Sequence, residues 1–288
     1  MNPRDVAAAT WQARLRLDVR RDGDGRCVVH AAHEGPLRVL KTLYPEGDAV
    51  AHQVIVHPPG GIVGGDRLEI ALRLQPRAHA LVTTPGATRF YRSAGGSGTQ
   101  RVDAALEEGA RLEWLALEAI AHSGCLGENH ACFRLAADAE MIGWDLVALG
   151  LPASGEPFAA GRFTQHLELP GVWLERGVID SADTTLLRSP LGLAGRSTLL
   201  TLWFAAGQVL ADARVDALVD AARECVDAHG HDDERLIAGV TALQQRVVVL
   251  RALAHRVEPA MVLAQAVRAA WRRVAWQLDA PPPRVWRT

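Results

Sequence analysis

The alternation of apolar and polar positions over the first two thirds of the chain predicts one short β-strand after another. In the range 67–74 every second residue is leucine or isoleucine, and most of the residues between them are charged. This period of two places the apolar side chains on one face of a sheet. The predicted strands span residues 14–19, 27–31, 37–43, 49–57, 67–74, 78–84, 100–106, 111–117, 131–136, 140–149, 162–169 and 172–180. Strands that recur at this spacing without intervening helices predict stacked or sandwiched sheets and argue against a βαβ fold.

Short turn sequences predict how several of these strands pair. Gly23-Asp24-Gly25, Gln75-Pro76-Arg77 and Pro170-Gly171 each separate two predicted strands by a few residues. Because such turns favour antiparallel hairpins, we expect hairpins within residues 14–31, 67–84 and 162–180. A further hairpin is expected within residues 236–253.

A helical period is found only in the last third of the chain. It predicts helices at about residues 208–228 and 258–277, followed by a proline-rich, extended tail at 279–288. The predicted apolar face of the second helix holds Leu263, Val267, Ala270 and Val274, and the arginines at 268, 272 and 273 are expected to lie away from it. We therefore predict a mainly β protein of stacked or sandwiched sheets, β-rich over residues 10–206. It is expected to form one large domain spanning 1–288, with about two α-helices in its C-terminal third.

Composition and charge restrict the class of protein. The 288 residues are 49% hydrophobic and carry a formal net charge of −2, so a large core is expected and no broad basic field for nucleic acid or a membrane surface. No run of eighteen apolar residues occurs, and charged residues interrupt the first twenty, which predicts a cytoplasmic protein. The four cysteines form no C-x-x-C pair, which favours free thiols.

A glycine-rich stretch, residues 57–93, holds the most distinctive sequence in the chain. Its first turn, HPPGGIVGGD, has glycines followed by an acidic residue, but Asp66 stands where a phosphate-binding loop has lysine. A strand follows the turn, so no helix N-terminus would face a phosphate, and the glycine spacing also excludes a dinucleotide-binding fingerprint. The segment is therefore interpreted as tight turns around strands and not as a nucleotide site.

Two long strings in this stretch carry a resemblance to a known family. HPPGGIVGGDRL and TTPGATRFYRS resemble the signature of urease accessory proteins of the UreD family, also called UreH. The similarity continues in LEWLALEAI (112–120), GWDLVALGLPASGE (143–156), SPLGLAG (189–195) and PPRVW (282–286), and so spans nearly the whole chain. The motif residues expected to shape its turns are Gly60, Gly61, Gly64, Gly65, Thr83, Thr84, Pro85, Gly86, Arg89, Tyr91 and Arg92.

The resemblance implies a non-enzymatic role in urease maturation. Proteins similar to this one form a complex with the helical accessory protein UreF and the GTPase UreG on apo-urease, and they help to place nickel in its buried active site. This implies no tightly bound cofactor, only nickel(II) in transit through a water-filled tunnel. The C-terminal helix and tail are natural docking pieces for a helical partner, so Trp271, Arg284 and Trp286 are candidate docking residues.

A tunnel for a hydrated dication needs carboxylate and carbonyl oxygens, because desolvating the ion in an apolar core is costly. On this basis Asp66, Glu118 and Glu175 are the predicted path-lining or orienting carboxylates. Each has the alternative of being a surface charge or a turn-capping carboxylate. The family usually has Pro-Gln where this chain has Ala116-Leu117, which weakens the transfer of a family role to Glu118.

Two groups of side chains could hold a metal independently of the family. His122, Cys125, His130 and Cys132 supply nitrogen and sulfur donors suited to zinc or nickel, although their spacing matches no known structural zinc module. The alternative is a polar loop between strands with buried thiols. The run from His229 to Asp233 is either a surface metal site or a solvated linker.

Other classes of function follow from these same features. A stand-alone β-sandwich module that binds a metal or small ligand through the loop from His122 to Cys132 is the main alternative to a maturation scaffold. An enzyme is not expected, because no G-x-S-x-G elbow occurs and neither Cys125 nor Cys132 has neighbours that mark an activated nucleophile.

Overall fold

The computed structural model of the protein describes residues 10–229 and 235–287. The strands are β1 (Gln12–Arg21), β2 (Cys27–Glu34), β3 (Arg38–Val39), β4 (Ala51–Val56), β5 (Arg67–Leu74), β6 (His79–Thr83), β7 (Thr88–Phe90), β8 (Gly98–Leu106), β9 (Arg111–Leu115), β10 (Ala119–Ala121), β11 (Cys125–Leu135), β12 (Glu140–Leu151), β13 (Glu156–Pro157), β14 (Gly161–Leu169), β15 (Trp173–Asp180), β16 (Thr198–Ala206), β17 (Leu236–Leu243) and β18 (Val247–Ala254). The α-helices are α1 (Thr184–Arg188), α2 (Asp212–His229) and α3 (Val257–Trp276). The mainly β class with stacked sheets and two C-terminal helices is thus confirmed.

Two stacked sheets form the body of the protein, and the chain passes back and forth between them. The smaller sheet has the order β15-β14-β11-β8-β5-β1-β2, and the larger has β17-β18-β16-β12-β9-β6-β4-β3. From β4 to β14 the main strands alternate between the sheets, so neighbours within a sheet are mostly parallel, as in β5 with β8 and β6 with β9. Each circuit of the chain therefore adds one strand to each sheet.

This winding overturns one predicted hairpin. The strands β5 and β6 do not pair with each other, because the link Gln75-Pro76-Arg77 carries the chain from the smaller sheet to the larger. Arg77 has a positive φ of 61° in this link, and its amide donates to the Glu108 carbonyl. A short turn between two strands is compatible with both a hairpin and a crossover, and only the stacking of the sheets selects the crossover.

The antiparallel pairs lie at the ends of the sheets. The hairpins β1–β2, β14–β15 and β17–β18 form as predicted. The periodicity does not predict β16, which pairs with β12 and β18. This strand is almost continuously buried, so it lacks the polar alternation of a half-exposed strand.

Apolar side chains fill two layers. One core lies between the two sheets and includes Leu15, Leu72 and Phe133. The other lies between the larger sheet and the helices α2 and α3, and includes Leu218 and Trp271. None of the described helices is long and apolar enough to cross a membrane.

The buried face of α3 differs from its prediction. Leu263 and Val267 are buried as expected, but Val274 is 38% exposed. Arg268 and Arg272 are 2% and 0% exposed, although they were expected to lie away from the apolar face. Arg268 and Arg272 directly follow Val267 and Trp271, so helical spacing places them at the border of the apolar face. They can be buried because carboxylates of the larger sheet and of the loop before β4 pair with them.

Glu113 on β9 is the centre of this buried ion-pair network. It accepts hydrogen bonds from Arg268 Nε, at 2.6 Å, and from Arg272 Nη1. Arg272 also donates to Glu46, whose other carboxylate oxygen lies 2.7 Å from His52 Nε2. The network connects α3 to β9, to β4 and to the loop before β4.

Burial and ion pairing act in opposite directions on Glu113. Burial raises the pKa of its carboxyl, but Arg268, His79 and Arg272 more than offset this, so the pKa is well below its usual range. Since the folded pKa is depressed, the stabilisation is present at neutral pH and is lost progressively as the pH falls from the ordinary carboxyl pKa through the lower folded value.

We predict that Glu113→Ala lowers the free energy of unfolding by about 3–5 kcal/mol, because it leaves the buried Arg268 guanidinium without its carboxylate and Arg272 with Glu46 alone. Urea unfolding of the purified chain measures this. The matched control is Glu107→Ala, which removes an exposed pair with Arg73 and should change stability by less than about 1 kcal/mol. Equal effects of the two substitutions would contradict the central role of Glu113.

Candidate functional site

The two glycine-rich strings meet on one side of the stacked sheets. The Ile62 amide donates to the Arg89 carbonyl at 2.7 Å, and the Tyr91 amide donates to the Ile62 carbonyl at 2.9 Å. A Cβ added at Gly64 would lie 2.1 Å from Ser93 Oγ and 2.5 Å from the Gly95 carbonyl oxygen. Glycine is therefore required at position 64 for the strings to approach each other.

Asp66 holds the first of these strings in its turn. Its side chain is buried, Oδ1 accepts from the Trp11 amide at 2.7 Å, and Oδ2 accepts from the Val63 amide at 3.0 Å. Both carboxylate oxygens thus bind backbone N–H groups, and the residue lines neither of the cavities described next. This arrangement matches the turn-capping alternative for Asp66.

A cavity of about 200 Å³ lies beneath the two strings. Its wall combines apolar strand residues with His57, Thr84, Thr88, Arg89 and Gln100. His57 Nε2 is buried and makes no hydrogen bond within the described part of the chain. Burial lowers the pKa of His57, against the opposing effect of Asp66, so the imidazole is neutral at physiological pH and its nitrogen is available to a ligand.

A second, smaller cavity continues the first into the space between the sheets. Its volume of about 20 Å³ can hold one water molecule. The two cavities share Thr88, Gln100, Trp114 and Ala116 in their walls. The inner cavity adds Asn129 and Asp145, so polar groups continue from the outer cavity into the apolar layer.

Asp145 is the most unusual residue of the inner cavity. Its Oδ2 accepts hydrogen bonds from Gln165 Nε2 and, at 3.3 Å, from Asn129 Nδ2, while Gln100 Nε2 donates to Asn129 Oδ1 at 3.3 Å. Burial raises the pKa of Asp145 to about 6, and the charge of Glu175 contributes to the rise. No cationic side chain neutralises this carboxylate among its hydrogen-bond partners in the described residues.

Glu175 extends the polar series from Asp145 to the surface. It accepts from Thr201 Oγ1 at 3.3 Å and from Arg251 Nη2 at 2.6 Å, and its side chain is 28% exposed. Glu118 is half-buried and lines neither cavity, and its backbone carbonyl accepts from the Thr88 amide. Of the three predicted path carboxylates, Glu175 alone lies beside the internal polar groups.

The C-terminal tail packs back onto this site. Trp286 Nε1 donates to Thr83 Oγ1 at 2.8 Å, and its ring lies 5.4 Å from that of Trp144. Arg284 is exposed, as a docking residue must be. Trp271 is fully buried and donates to the Leu218 carbonyl, so its predicted docking role is wrong in this structure.

The predicted metal loop is divided between two faces of a strand. Cys125 and Cys132 are both in β11, seven positions apart, so they point to opposite faces and are separated by roughly 23 Å. His122 lies outside the strand, with its ring 4.8 Å from that of Tyr91. Burial raises the pKa of Cys125 to about 11. The four side chains therefore do not form one metal site.

No other cluster replaces it: within residues 10–229 and 235–287, no group of three or more His, Cys, Asp or Glu side chains is arranged to hold a metal ion. The second predicted group reaches beyond these ranges. His229 ends α2 and its Nδ1 contacts the Cys225 carbonyl oxygen at 2.9 Å, while residues 230–233 lie outside the described residues.

Comparison with known proteins gives a single result. The family model of the UreD urease accessory protein matches residues 12–287. Urease accessory protein UreD of Albidiferax ferrireducens is 56% identical over 96% of this chain and 99% of its own length. The protein of the same name from Leptothrix cholodnii is 55% identical over 97% of this chain and its full length.

The chain belongs to the UreD family of urease accessory proteins.

Two of the strings that resemble the family lie at the cavities of this UreD protein. The departure at Ala116-Leu117 lies at the cavities: the Ala116 carbonyl accepts from Trp144 Nε1 at 2.6 Å, and the Leu117 amide donates to Thr84 Oγ1 at 3.0 Å. The string GWDLVALG contains Asp145, which was not among the predicted path carboxylates. A carboxylate inside an otherwise apolar strand was the available signal.

We predict that Gly64→Ala lowers the free energy of unfolding by about 1–3 kcal/mol, because its Cβ would overlap Ser93 Oγ and the carbonyl oxygens of Gly95 and Gly96. Gly86→Ala is the control in the same motif, since nothing lies within 4 Å of an added Cβ there. It should be neutral or stabilise by up to about 1 kcal/mol. Thermal and urea unfolding compare the two, and a harmless alanine at 64 would refute the packing.

We also predict that Asp145→Asn stabilises the protein near pH 8 by about 1–3 kcal/mol and has no such effect near pH 4. The folded pKa of Asp145 is raised, so stability falls as pH rises between the unfolded pKa and about 6, and the loss is complete above it. Asn retains an oxygen that can accept from Gln165 and Asn129.

Unfolding curves at both pH values measure the difference. Asp220→Asn, at an exposed position of α2, is the control and should show no pH-dependent gain. A destabilised Asp145→Asn protein near pH 8 would contradict the prediction.

Proposed function

We propose that this UreD protein is a non-enzymatic urease maturation factor. In this proposal it assembles with a UreF-like protein and a UreG-like GTPase on apo-urease and helps to deliver nickel(II) to the active site through its interior. The observation that carries the proposal is the pair of adjoining cavities, whose polar walls lead to the half-buried carboxylate of Asp145 between two otherwise apolar sheets. Nickel is here the cargo and not a resident cofactor.

The chemistry of the cavity walls suits a divalent ion in transit. The neutral imidazole of His57 lies in the outer cavity, and amide and carboxylate oxygens follow in the inner one. Because the inner cavity holds only about one water molecule, a passing ion would exchange water ligands for oxygens of Gln100, Asn129 and Asp145. A few weak ligands at each step favour movement over retention.

An unneutralised carboxylate in this position is costly to the fold. Its raised pKa means that charging Asp145 in the folded protein is unfavourable. Groups that lower stability in this way are concentrated at functional sites. Glu175, the predicted path residue nearest to it, would accept the ion at the other end, where Arg251 competes for the same carboxylate.

The assembly part of the proposal rests on the helical layer and the family. The outward side of α3 presents Val262, which is 52% exposed, and Val274, and a helical UreF-like partner could cover them. The chain has no phosphate-binding loop, so GTP would be bound by the UreG-like partner. A cytoplasmic location follows from the same role.

No observation favours the alternative of a stand-alone binding module. That alternative depends on His122, Cys125, His130 and Cys132 acting together, and β11 separates them.

We predict that Asp145→Asn and Glu175→Gln each reduce the nickel content of urease by about tenfold or more when apo-urease and its accessory proteins are coexpressed. Urease activity should fall in proportion, while the variants still copurify with their partners. Glu107→Gln is the surface control. Asp66→Asn and Glu118→Gln test the other two carboxylates predicted from the sequence.

Two further results bear on this proposal. Omitting the chain should abolish nickel loading while apo-urease still folds, and normal loading without it would refute the maturation role. Normal loading by Asp145→Asn would refute the internal path and leave the role intact.

A further inference from the structure

Two histidines lie side by side on the outer face of the smaller sheet. His130 on β11 is the register partner of His166 on the parallel neighbour β14, and the ring centroids are 5.5 Å apart with 34° between the planes. In the same row Arg101 of β8 lies beside His130, and Arg176 of β15 lies beside His166. Neighbouring strands are spaced at about 4.8 Å, so this register keeps the imidazoles adjacent.

A carboxylate accompanies each ring. His166 Nε2 lies 3.0 Å from Glu168 Oε2, and His130 Nε2 lies 3.5 Å from Glu128 Oε2. Metal-binding histidines commonly donate one ring N–H to a carboxylate, which fixes the tautomer and orients the other nitrogen. With Nε2 directed to the carboxylates, the Nδ1 atoms of both rings are left for a ligand.

The pair is partly exposed to solvent. The side chains of His130 and His166 are 30% and 23% exposed. An ion can therefore reach them from solvent. Burial lowers the pKa of His130 and the neighbouring His166 lowers it further, which favours the neutral form that binds metals.

The surrounding charges are balanced. Arg101 in the same row is paired with Asp103, at 2.6 Å between Nε and Oδ2, and Arg134 lies 3.7 Å from the same carboxylate. Glu128 and Glu168 add two negative charges beside the histidines. The face therefore does not repel a cation as a row of unpaired arginines would.

We propose that His130 and His166 together bind one borderline divalent transition-metal ion, and that nickel(II) is a natural occupant. Bonds from such an ion to imidazole nitrogen are about 2.0–2.1 Å, so the 5.5 Å between ring centroids is short enough for one ion to reach a nitrogen of each ring. The ion has two protein ligands, and water completes its coordination. Glu128 and Glu168 orient the rings without binding the ion.

This site goes beyond the proposed function. It lies on the outer face of the smaller sheet, whereas the cavities lie between the sheets and contain neither histidine. It also differs from the metal loop predicted from the sequence, since His130 is combined with a histidine thirty-six positions later and not with Cys125. Binding to the isolated chain tests it without urease.

The test is a titration of the purified full chain with nickel chloride, followed by isothermal calorimetry. His130→Asn and His166→Asn should each weaken binding at this site by about tenfold or more, and the double variant should bind no more tightly than either single one. All titrations are repeated in a His229→Asn/His231→Asn background, because those imidazoles could bind nickel themselves.

Two controls separate this site from other donors. His30→Asn removes an exposed histidine of β2 in the same sheet, which faces Asp18 and not a second imidazole, and should leave binding unchanged. Cys132→Ser removes the nearby thiol and should also leave it unchanged. Copper(II) bound to the wild-type chain should show coupling to two nitrogens in its electron paramagnetic resonance spectrum.

Several results would overturn the proposal. Unchanged nickel binding by His130→Asn and His166→Asn would do so, as would a loss confined to one of them or an equal loss in Cys132→Ser. Far-ultraviolet circular dichroism must show that each variant is folded. If the isolated chain does not bind nickel at these histidines, the proposed maturation role still stands, because that role is tested separately by the nickel content of urease.

Discussion

The helical layer depends on the ion pairs between the buried Glu113 carboxylate and two arginines of α3. Three charged side chains, Glu113, Arg268 and Arg272, are withdrawn from water at the contact between α3 and the larger sheet. Isolated burial of any one of them would be strongly unfavourable, so the helix can occupy this place only when all three are in register. The requirement sets the position of α3 along the sheet more strictly than apolar packing can.

The same network also contacts the C-terminal tail, which packs against the second glycine-rich string. Arg268 Nη1 donates to the carbonyls of Ala280 and Pro281, both at 3.4 Å, just before the tail turns back over the sheet. This contact helps to bring Trp286 to Thr83. The chain terminus and the motif, more than two hundred residues apart, are thus parts of one structural unit.

The cavities depend on a different constraint, the winding of the chain between two sheets. Each circuit brings strands from both sheets towards the same interior, so Gln100, Asn129 and Asp145 converge although they come from β8, β11 and β12. The register of parallel neighbours also aligns His130 with His166 on the outer face. One winding therefore creates an internal polar series and an external imidazole pair, on opposite faces of the smaller sheet.

The sequence by itself determined the class of fold, most strands, both C-terminal helices and the family, because each depends on local periodicity, turn residues or an extended motif. It also identified the glycine turns, whose conformations are local. Only the tertiary structure decided that β5 and β6 enter different sheets, that Arg268 and Arg272 are buried, and that Asp145 and His166 belong to candidate sites. These features depend on strand register and on partners distant in the chain, as Glu113 is from Arg272. Periodicity reports which face a residue occupies, but not which side chain meets it there.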